Sequence, residues 1–504
     1  MWSRALILLV VTLVGCWPTW RLPDWDGTEG RRVQIATEMA NSGDWLVPTL
    51  GGQPTWAKPP LHYWILGALV RCFGESFVLL RLPSVLAACA AALLAGELLR
   101  RYFGARAGWV AALGIACSPM VLLEWPTAEI DPMFASLTAA SLWCLATGVA
   151  RERRGLVVAA GLLGGLAVLD KGPPYLLFAA GAWLVWWRRR GMQFSVAYFV
   201  PLALVPLAYF VPLWALRIAP GEMLAVANEE SVGRIVMFEW SHVTSIPGFW
   251  LRAALVPAPF VFWCFWEWRG ARDARMDAGD LMLRMCSGAT VVAVALLTFF
   301  PGRPTRYLLP NVLLFVFAVT PAVAHFAAHR GELPLFARRS LLVVGVLGAV
   351  ALVVLPFVPR MGIGALGLAL VFALAPQVVR TPMHLVSFCL VVPLVASWTV
   401  GLERSLGWRD GPRSRAEGGR LLREELVERS AIDDLGTHGH FDSSLLLQSG
   451  LLPRGDESER TPPSSRWLLL EPLGAGKGPP SNYVERLRLC LPFKSFSLRE
   501  RVAR

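Results

Sequence analysis

Charged residues are scarce in this sequence. Asp, Glu, Lys and Arg make up 17% of its 504 residues, whereas a soluble globular domain carries about 25%. Hydrophobic residues make up 55%, and apolar runs long enough to cross the roughly 30 Å hydrocarbon core of a bilayer recur along most of the chain. The composition therefore excludes an ordinary soluble domain and predicts an all-α polytopic membrane protein.

Signatures of several other protein classes are missing as well. None of the nine cysteines stands in a C-x-x-C pattern, so neither a disulfide framework nor a cysteine-based zinc site is predicted. The net charge of +12 comes mainly from arginines that cluster between apolar runs, as they do in cytoplasmic loops. We therefore expect membrane lipids, and no nucleic acid, among the partners. The sequence also lacks a visible internal repeat, which many transporters contain.

The apolar runs predict about 13 transmembrane helices. They lie near residues 5–17, 78–98, 107–123, 132–150, 156–169, 174–187, 195–216, 249–268, 281–300, 308–328, 341–358, 363–379 and 383–402. The arginine clusters of alternate loops place the N-terminus in the cytoplasm, and an odd number of spans places the end of the chain on the other side. The chain thus divides into a transmembrane domain, 1–403, with a first extracytoplasmic loop at 18–77, and a small periplasmic α/β domain at 404–504.

The first extracytoplasmic loop is the most distinctive part of the chain. It contains Asp24-Trp25-Asp26-Gly27-Thr28-Glu29 and Lys58-Pro59-Pro60-Leu61-His62-Tyr63-Trp64, which gather carboxylates, a lysine and aromatic rings. Two amphipathic helices are predicted to lie on the membrane surface, one at about 28–41 and the other from Leu61 to Arg71.

The other outward loops also carry ionisable groups at the membrane edge, where charge is costly and often functional. They include Asp131 (preceded by Glu129), Lys171, Arg234, His242, Arg303 and Arg306. Sugar transfer from a polyprenyl phosphate needs cations for the phosphate leaving group and, for a hydroxyl acceptor, a carboxylate that removes a proton. Both kinds of group lie on one predicted side of the membrane, which indicates a membrane glycosyltransferase.

Three blocks of the first loop resemble a known family. Thr28-Glu29-Gly30-Arg31, Ser42-Gly43-Asp44-Trp45 and Lys58-Pro59-Pro60-Leu61-His62-Tyr63-Trp64 look like the first-loop signature of bacterial GT-C glycosyltransferases. This protein-mannosyltransferase-like superfamily includes the lipid A 4-amino-4-deoxy-arabinose transferases. Asp131-Pro132 and Arg306-Tyr307-Leu308-Leu309-Pro310 support the resemblance. It implies a GT-C-like helical domain, a periplasmic C-terminal domain, a polyprenyl-phosphate-linked donor and lipid A modification at the inner membrane.

Two positions depart from the family's pattern. Thr28-Glu29 stands where the family has an Asp-Glu pair, and the nearby Asp26 is expected to substitute for the missing carboxylate. Ala57 stands where the aminoarabinose enzymes carry an acidic residue before the loop lysine, so a metal site that uses this position would lack a ligand. A divalent cation stays open as a cofactor, with His242 as a candidate ligand.

The residues receive the following predicted roles. Glu29 and Asp26 activate the acceptor or stabilise positive charge on the sugar, and Asp131 is a supporting carboxylate. The donor phosphate binds Lys58, Arg81, Lys171, Arg303, Arg306 and Tyr307, and further candidates are His62, Tyr63, Arg234 and His242. The sugar moves, with inversion, to a lipid, glycan or protein acceptor. The alternatives are a transporter or lipid flippase, and an assembly or sensor protein.

Overall fold

The computed structural model is mainly helical within its described residues. These are 2–20, 28–216, 221, 244–255, 277–299, 305–328, 333, 335–354, 363–405, 435–438, 454–455, 467–470, 483–490 and 495–501. The helices are α1 Trp2–Trp20, α2 Glu29–Ser42, α3 Leu61–Phe73, α4 Phe77–Ala116, α5 Pro119–Glu124, α6 Ile130–Ala150, α7 Arg154–Lys171, α8 Pro174–Arg190, α9 Ser195–Ala215, α10 Ile246–Leu255, α11 Asp277–Leu297, α12 Leu309–Ala328, α13 Leu335–Val354, α14 Ile363–Val378 and α15 Pro382–Ser405.

The long helices follow the predicted apolar runs. Within the described residues, five helices are long and apolar enough to cross a membrane, which agrees with the predicted polytopic class. The predicted break between the runs 78–98 and 107–123 is present inside α4, because Gly104, with a φ of 86°, is not helical and divides this element into two helices. Glycine adopts this angle at little cost. A β-carbon added at Gly96 would meet Ala112, so the two helices pack against each other. The count of about 13 spans stays a prediction.

The first loop contains the two predicted surface helices, α2 and α3. Helix α2 ends at Gly43, whose φ of 74° allows its N–H to cap the helix by donating to Met39 O. Helix α3 follows a Pro-Pro pair and ends at Gly74. Between the helices lies a short hairpin of strands β1, Thr49–Leu50, and β2, Gln53–Pro54. The apolar faces of both helices pack on the membrane domain through Val33, Ile35, Ala36, Met39, Tyr63, Leu66, Leu80, Ala128 and Ile130.

A buried network of hydroxyl groups joins four helices. The Ser141 hydroxyl of α6 donates to the carbonyl oxygen of Ala160 in α7 at 2.7 Å. The hydroxyl of Tyr175 in α8 lies 2.7 Å from Ser141 Oγ and 2.5 Å from the hydroxyl of Tyr198 in α9. Because buried polar groups are costly unless they are bonded, this network favours one arrangement of α6 and α7. The N-terminus of α6 and the C-terminus of α7 contribute residues to the site described below.

Glycines set the closest helix contacts. Gly181 of α8 faces Gly288 of α11, and a β-carbon added at Gly181 would overlap the carbonyl oxygen of Gly288. Small residues at such crossings allow two backbones to approach closely, as is common between membrane helices.

Gly181→Val is therefore expected to destabilise the protein by about 1–3 kcal/mol, the usual cost of overpacking a core. Gly155→Ala is the matched control, because nothing lies within 4 Å of a β-carbon added at Gly155. Thermal unfolding of both variants in detergent checks the prediction. Equal melting temperatures for the two variants would contradict the close α8–α11 contact.

The described part of the C-terminal region is a mixed five-stranded sheet. Its strands are β3 Leu435–His438, β4 Arg454–Gly455, β5 Trp467–Leu470, β6 Tyr483–Cys490 and β7 Ser495–Arg501, in the order β4-β3-β5-β7-β6. Strand β3 runs parallel to β4 and β5, whereas β7 runs antiparallel to β5 and β6. The strands agree with the predicted α/β domain, and its helices stay a prediction outside the described residues.

Candidate active site

The carboxylate of Glu29, at the start of α2, forms a buried ion pair with Arg81. Arg81 of α4 donates from Nε to Glu29 Oε1 at 2.6 Å and from Nη2 to Oε2 at 2.8 Å. The backbone N–H of Ala128 donates to Oε1 at 2.6 Å, and Arg81 also donates to Trp20 O at 3.0 Å. Glu29 is 0% exposed and Arg81 is 2% exposed. This geometry favours a structural role for both residues over their predicted roles in acceptor activation and phosphate binding.

A second carboxylate, that of Glu129, contacts the first loop. Glu129 is the residue before α6. The backbone N–H of Thr28 donates to Oε1 at 2.8 Å, and the Thr28 hydroxyl lies 2.7 Å from Oε1 and 2.9 Å from Oε2. Burial raises the pKa of the Glu129 carboxyl, an effect that Arg32 and Arg306 oppose. Glu129 is a residue without a predicted role. Its position two residues before Asp131 was the available signal.

Asp131 and Lys171 form an ion pair where the N-terminus of α6 meets the C-terminus of α7. The side chain of each residue is 10% exposed. Lys171 Nζ also lies 4.4 Å from the centre of the Tyr307 ring, so the predicted phosphate-binding residues Lys171 and Tyr307 are neighbours. Arg306 Nε is 3.8 Å from Asp131 Oδ2. The structure therefore brings together four predicted site residues from three separate segments.

Arg32 completes the group, which we call the charged cluster. The charged cluster consists of Arg32, Glu129, Asp131, Lys171 and Arg306. Arg32 donates to the Tyr63 hydroxyl at 2.9 Å, and its Nε lies 3.9 Å from Glu129 Oε2. Arg306 Nη1 lies 3.7 Å from Glu129 Oε1. These separations bring opposite charges together but exceed hydrogen-bond length.

Two of the cluster's N–H groups lack an acceptor. Within the described residues, Nε of Arg32 and Nε of Arg306 are buried and make no hydrogen bond. A buried donor without a partner is costly, and a guanidinium group matches the geometry of a phosphate. With three cations and two carboxylates, the charged cluster has the chemistry of an anion site. Arg32 is absent from the predicted site residues, because the first-loop motif that resembles the family ends at its neighbour Arg31.

His62 and Tyr63 are buried next to the charged cluster. His62 Nε2 lies 2.8 Å from Ala128 O, and Nδ1 lies 4.0 Å from Oδ1 of the fully buried Asp170. Burial lowers the pKa of His62 to about 4, so the ring is neutral near pH 7. Tyr63 is fully buried and accepts the hydrogen bond from Arg32. Both predicted candidates therefore contact protein groups and hold the loop in place.

The Lys58 loop lies beside the turn that follows Lys171. A β-carbon added at Gly172 would be 3.9 Å from Cγ of Pro59. Trp56 and Leu61 pack against the apolar cluster that Leu169 of α7 forms with Tyr209 and Leu213 of α9. Lys58 is partly exposed and interacts with other groups. The prediction that Lys58 shares a membrane face with Lys171 agrees with this packing.

Four predicted site residues, Asp26, Arg234, His242 and Arg303, lie outside the described residues. Among the residues that the structure describes, no group of three or more His, Cys, Asp or Glu side chains is arranged to hold a metal ion. The divalent cation and the role of His242 therefore stay predictions.

Comparison with known proteins identifies the class. The family model described as dolichyl-phosphate-mannose-protein mannosyltransferase matches residues 57–215. The crystal structure of ArnT from Cupriavidus metallidurans bound to undecaprenyl phosphate superposes with a TM-score of 0.69 at 17% identity, covering 98% of each chain. The fold is thus that of a polytopic membrane protein, as predicted, and it is similar to the fold of ArnT.

The chain is also similar in sequence to known aminoarabinose transferases. It is 27% identical over 404 residues to the undecaprenyl phosphate-alpha-4-amino-4-deoxy-L-arabinose arabinosyl transferase of Pseudomonas savastanoi pv. phaseolicola, covering 75% of this chain and 68% of the relative. It is 32% identical over 203 residues to the protein of the same name from Edwardsiella ictaluri, covering 39% and 37%. The chain therefore matches about two thirds of the first relative and about a third of the second.

Proposed function

We propose that this protein transfers a sugar from a polyprenyl-phosphate-linked donor to a lipid acceptor at the periplasmic face of the inner membrane. The charged cluster carries the proposal, because its unbonded guanidinium N–H groups are suited to a phosphate at the membrane edge. The similarity to undecaprenyl phosphate-dependent arabinosyl transferases supports the donor class. Undecaprenyl phosphate-linked 4-amino-4-deoxy-L-arabinose is the first donor to test.

The cations have a direct role in this reaction. When the bond between the sugar and the phosphate breaks, the phosphate gains a negative charge, and groups that bind this developing charge more tightly in the transition state than in the donor accelerate the step. Lys171 and Arg306 belong to segments that meet at the outer end of α6. We assign them to the phosphate, with Lys58, Arg303 and Tyr307 as further contacts and Asp131 as the group that orients Lys171.

An open apolar depression formed by residues of the first loop is suited to the lipid tail of the donor. It has a volume of about 350 Å³ and is lined by Trp45, Leu46 and Trp64. The Trp64 ring packs edge-on against Tyr209 of α9, with ring centres 5.6 Å apart. We assign the first isoprene units of the donor to this surface, since apolar groups at the membrane edge gain by covering each other.

The position of the charges argues against a transporter. Asp131 lies in the first turn of α6, Lys171 in the last turn of α7, and Arg306 in a short 3₁₀ helix, Thr305–Leu308, before α12. A transporter usually places its binding site near the middle of the bilayer, between structural repeats. The described charged cluster lies at the helix ends instead, which favours a reaction at the membrane surface.

Arg306→Gln is expected to weaken binding of undecaprenyl phosphate by about 10-fold to 100-fold, because it removes a charge-assisted contact. Binding is measured by the change in intrinsic tryptophan fluorescence of the full chain in nanodiscs as undecaprenyl phosphate is added. Arg188→Gln is the matched control, since Arg188 is an exposed arginine in the last turn of α8, at the opposite end of that helix from the turn that follows Lys171.

The two variants should also differ in activity. Transfer from the radiolabelled donor to a lipid extract of the bacterial envelope should fall in Arg306→Gln and persist in Arg188→Gln. Donor uptake into proteoliposomes by the wild-type protein without any covalent product would contradict the proposed function and favour the transporter.

A further inference from the structure

A buried histidine and a buried aspartate face each other beside the charged cluster, and the proposed reaction does not use them. His62 lies in the first turn of α3, and Asp170 lies in the last turn of α7, next to Lys171. Both residues are fully buried, and His62 Nδ1 is 4.0 Å from Asp170 Oδ1. Within the described residues, Nδ1 of His62 and both carboxyl oxygens of Asp170 make no hydrogen bond.

The hydrogen bond on the other side of the His62 ring decides where a proton is needed. His62 Nε2 lies 2.8 Å from the carbonyl oxygen of Ala128. A carbonyl oxygen only accepts, so Nε2 must carry a hydrogen. Because the ring is neutral, Nδ1 then has a lone pair and faces the carboxyl group of Asp170. A carboxylate at that position would place two acceptors against each other with no hydrogen between them.

The position of Asp170 on its helix is also unfavourable for a carboxylate. The C-terminus of an α-helix carries a partial negative charge, which disfavours an anion there. Glu29 and Asp131 lie in first turns instead, and each bonds a cation, Arg81 or Lys171. The carboxyl group of Asp170 makes no such bond in the part of the chain that the structure describes. A buried anion without a bonded partner is costly, and a proton removes that cost.

We propose that Asp170 is a neutral, protonated acid whose hydrogen is directed to Nδ1 of His62, and that this neutral pair keeps the charged cluster positive enough to bind the donor phosphate. The inference rests on the proposed function, because it concerns the same phosphate site. It gives a role to a carboxyl group that does not itself contact the substrate.

The charge of Asp170 matters because of the groups around it. Besides His62, the charges that act on it are those of Lys171 in α7, Arg32 in α2 and Asp131 in α6. The charged cluster contains three cations and two carboxylates, which leaves an excess of one positive charge. An anionic Asp170 would cancel this excess and compete with the phosphate for Lys171. A neutral Asp170 leaves the excess to the phosphate.

Infrared difference spectroscopy of the full chain measures the protonation state. The spectrum of the wild type near neutral pH minus that of Asp170→Asn should contain the C=O stretching band of a carboxylic acid, and this band should shift in deuterated water. A difference spectrum with carboxylate bands instead would overturn the inference. The measurement needs no substrate, so its result does not depend on the proposed function.

His62→Gln tests the effect of this charge on the phosphate site. The glutamine amide has N–H groups that can donate to Asp170, so it favours the carboxylate form of Asp170. We expect the Kd for undecaprenyl phosphate, measured by tryptophan fluorescence in nanodiscs, to rise by about tenfold, because a negative charge is then added beside the buried cations. His384→Gln is the matched control, since His384 is an exposed histidine of α15, and it should leave the Kd unchanged.

A second substitution separates the effect of charge from that of packing. Asp170→Asn in the His62→Gln background removes the negative charge while the altered packing at position 62 stays. The Kd of this double variant should therefore return to within about threefold of the wild-type value. Asp170→Asn alone should also stay within about threefold, because asparagine is a neutral isostere of the acid and its amide can donate to Nδ1 of His62.

Three binding results would overturn the inference. An unchanged Kd in His62→Gln would show that the charge of Asp170 does not affect the phosphate site. Equally weak binding by His62→Gln and the double variant would show that His62 acts through packing alone. Weaker binding by Asp170→Asn alone would show that the site needs the carboxylate. Failure of the wild type to bind undecaprenyl phosphate would instead contradict the proposed function, while the infrared result would still report the state of Asp170.

Discussion

Lys171→Met is expected to lower the rate of sugar transfer by about 10²–10³-fold, the usual effect of removing a charge that stabilises a transition state. Lys171 is buried beside Asp131 and Tyr307, so water replaces its charge poorly. The measurement is the steady-state transfer of radiolabelled sugar from the undecaprenyl phosphate donor. Lys171→Arg, which keeps a cation, should retain more activity than Lys171→Met.

The same variant is also expected to lose stability, because methionine leaves Asp131 buried without its cation. Breaking a buried ion pair from one side typically costs about 3–5 kcal/mol. The double variant Asp131→Asn with Lys171→Met removes both charges and should recover much of that stability. If the double variant also recovered transfer activity, Lys171 would be a structural residue and its role at the phosphate would be wrong.

Glu29→Ala is expected to destabilise the protein by about 3–5 kcal/mol, the second large effect. The substitution leaves the Arg81 guanidinium without its carboxylate at a site where both side chains are almost fully buried. It also removes the acceptor of the Ala128 N–H. Thermal unfolding in detergent and protease cleavage of the first loop measure the effect.

The matched control for Glu29 is the double variant Glu29→Met with Arg81→Met. It removes both charges, so it should be more stable than Glu29→Ala and should keep transfer activity within about tenfold of the wild type. This outcome is expected because Glu29 and Arg81 bind each other and the backbone rather than a substrate. Complete loss of transfer in a well-folded double variant would restore the catalytic role that the sequence predicts for Glu29.

Local patterns were sufficient to predict most of the helices. Helices α2 and α3 begin and end within about two residues of their predicted bounds, because glycines and prolines mark their ends. The predicted break between two apolar runs inside α4 is present at Gly104, whose backbone is not helical.

The site was predicted in part. Asp131, Lys171 and Arg306 were recognised because charge at a membrane edge is unusual in itself. Glu129 and Arg32 were missed. The motifs that resemble the family contain their neighbours Asp131 and Arg31 instead. The family pattern also directed attention to Glu29, although its carboxylate is turned inward in this chain.

The sequence by itself determined that this is a polytopic membrane protein, because the thickness of the bilayer requires long apolar runs and leaves little freedom in where they begin. It also indicated which ionisable residues lie at the ends of the helices. Only the tertiary structure decided which carboxylate meets which cation. Glu29 and Arg81 are 52 residues apart, and Thr28 and Glu129 are 101 apart. Such pairs depend on how α2 packs against α4 and α6, because the buried face of each helix decides which side chains meet.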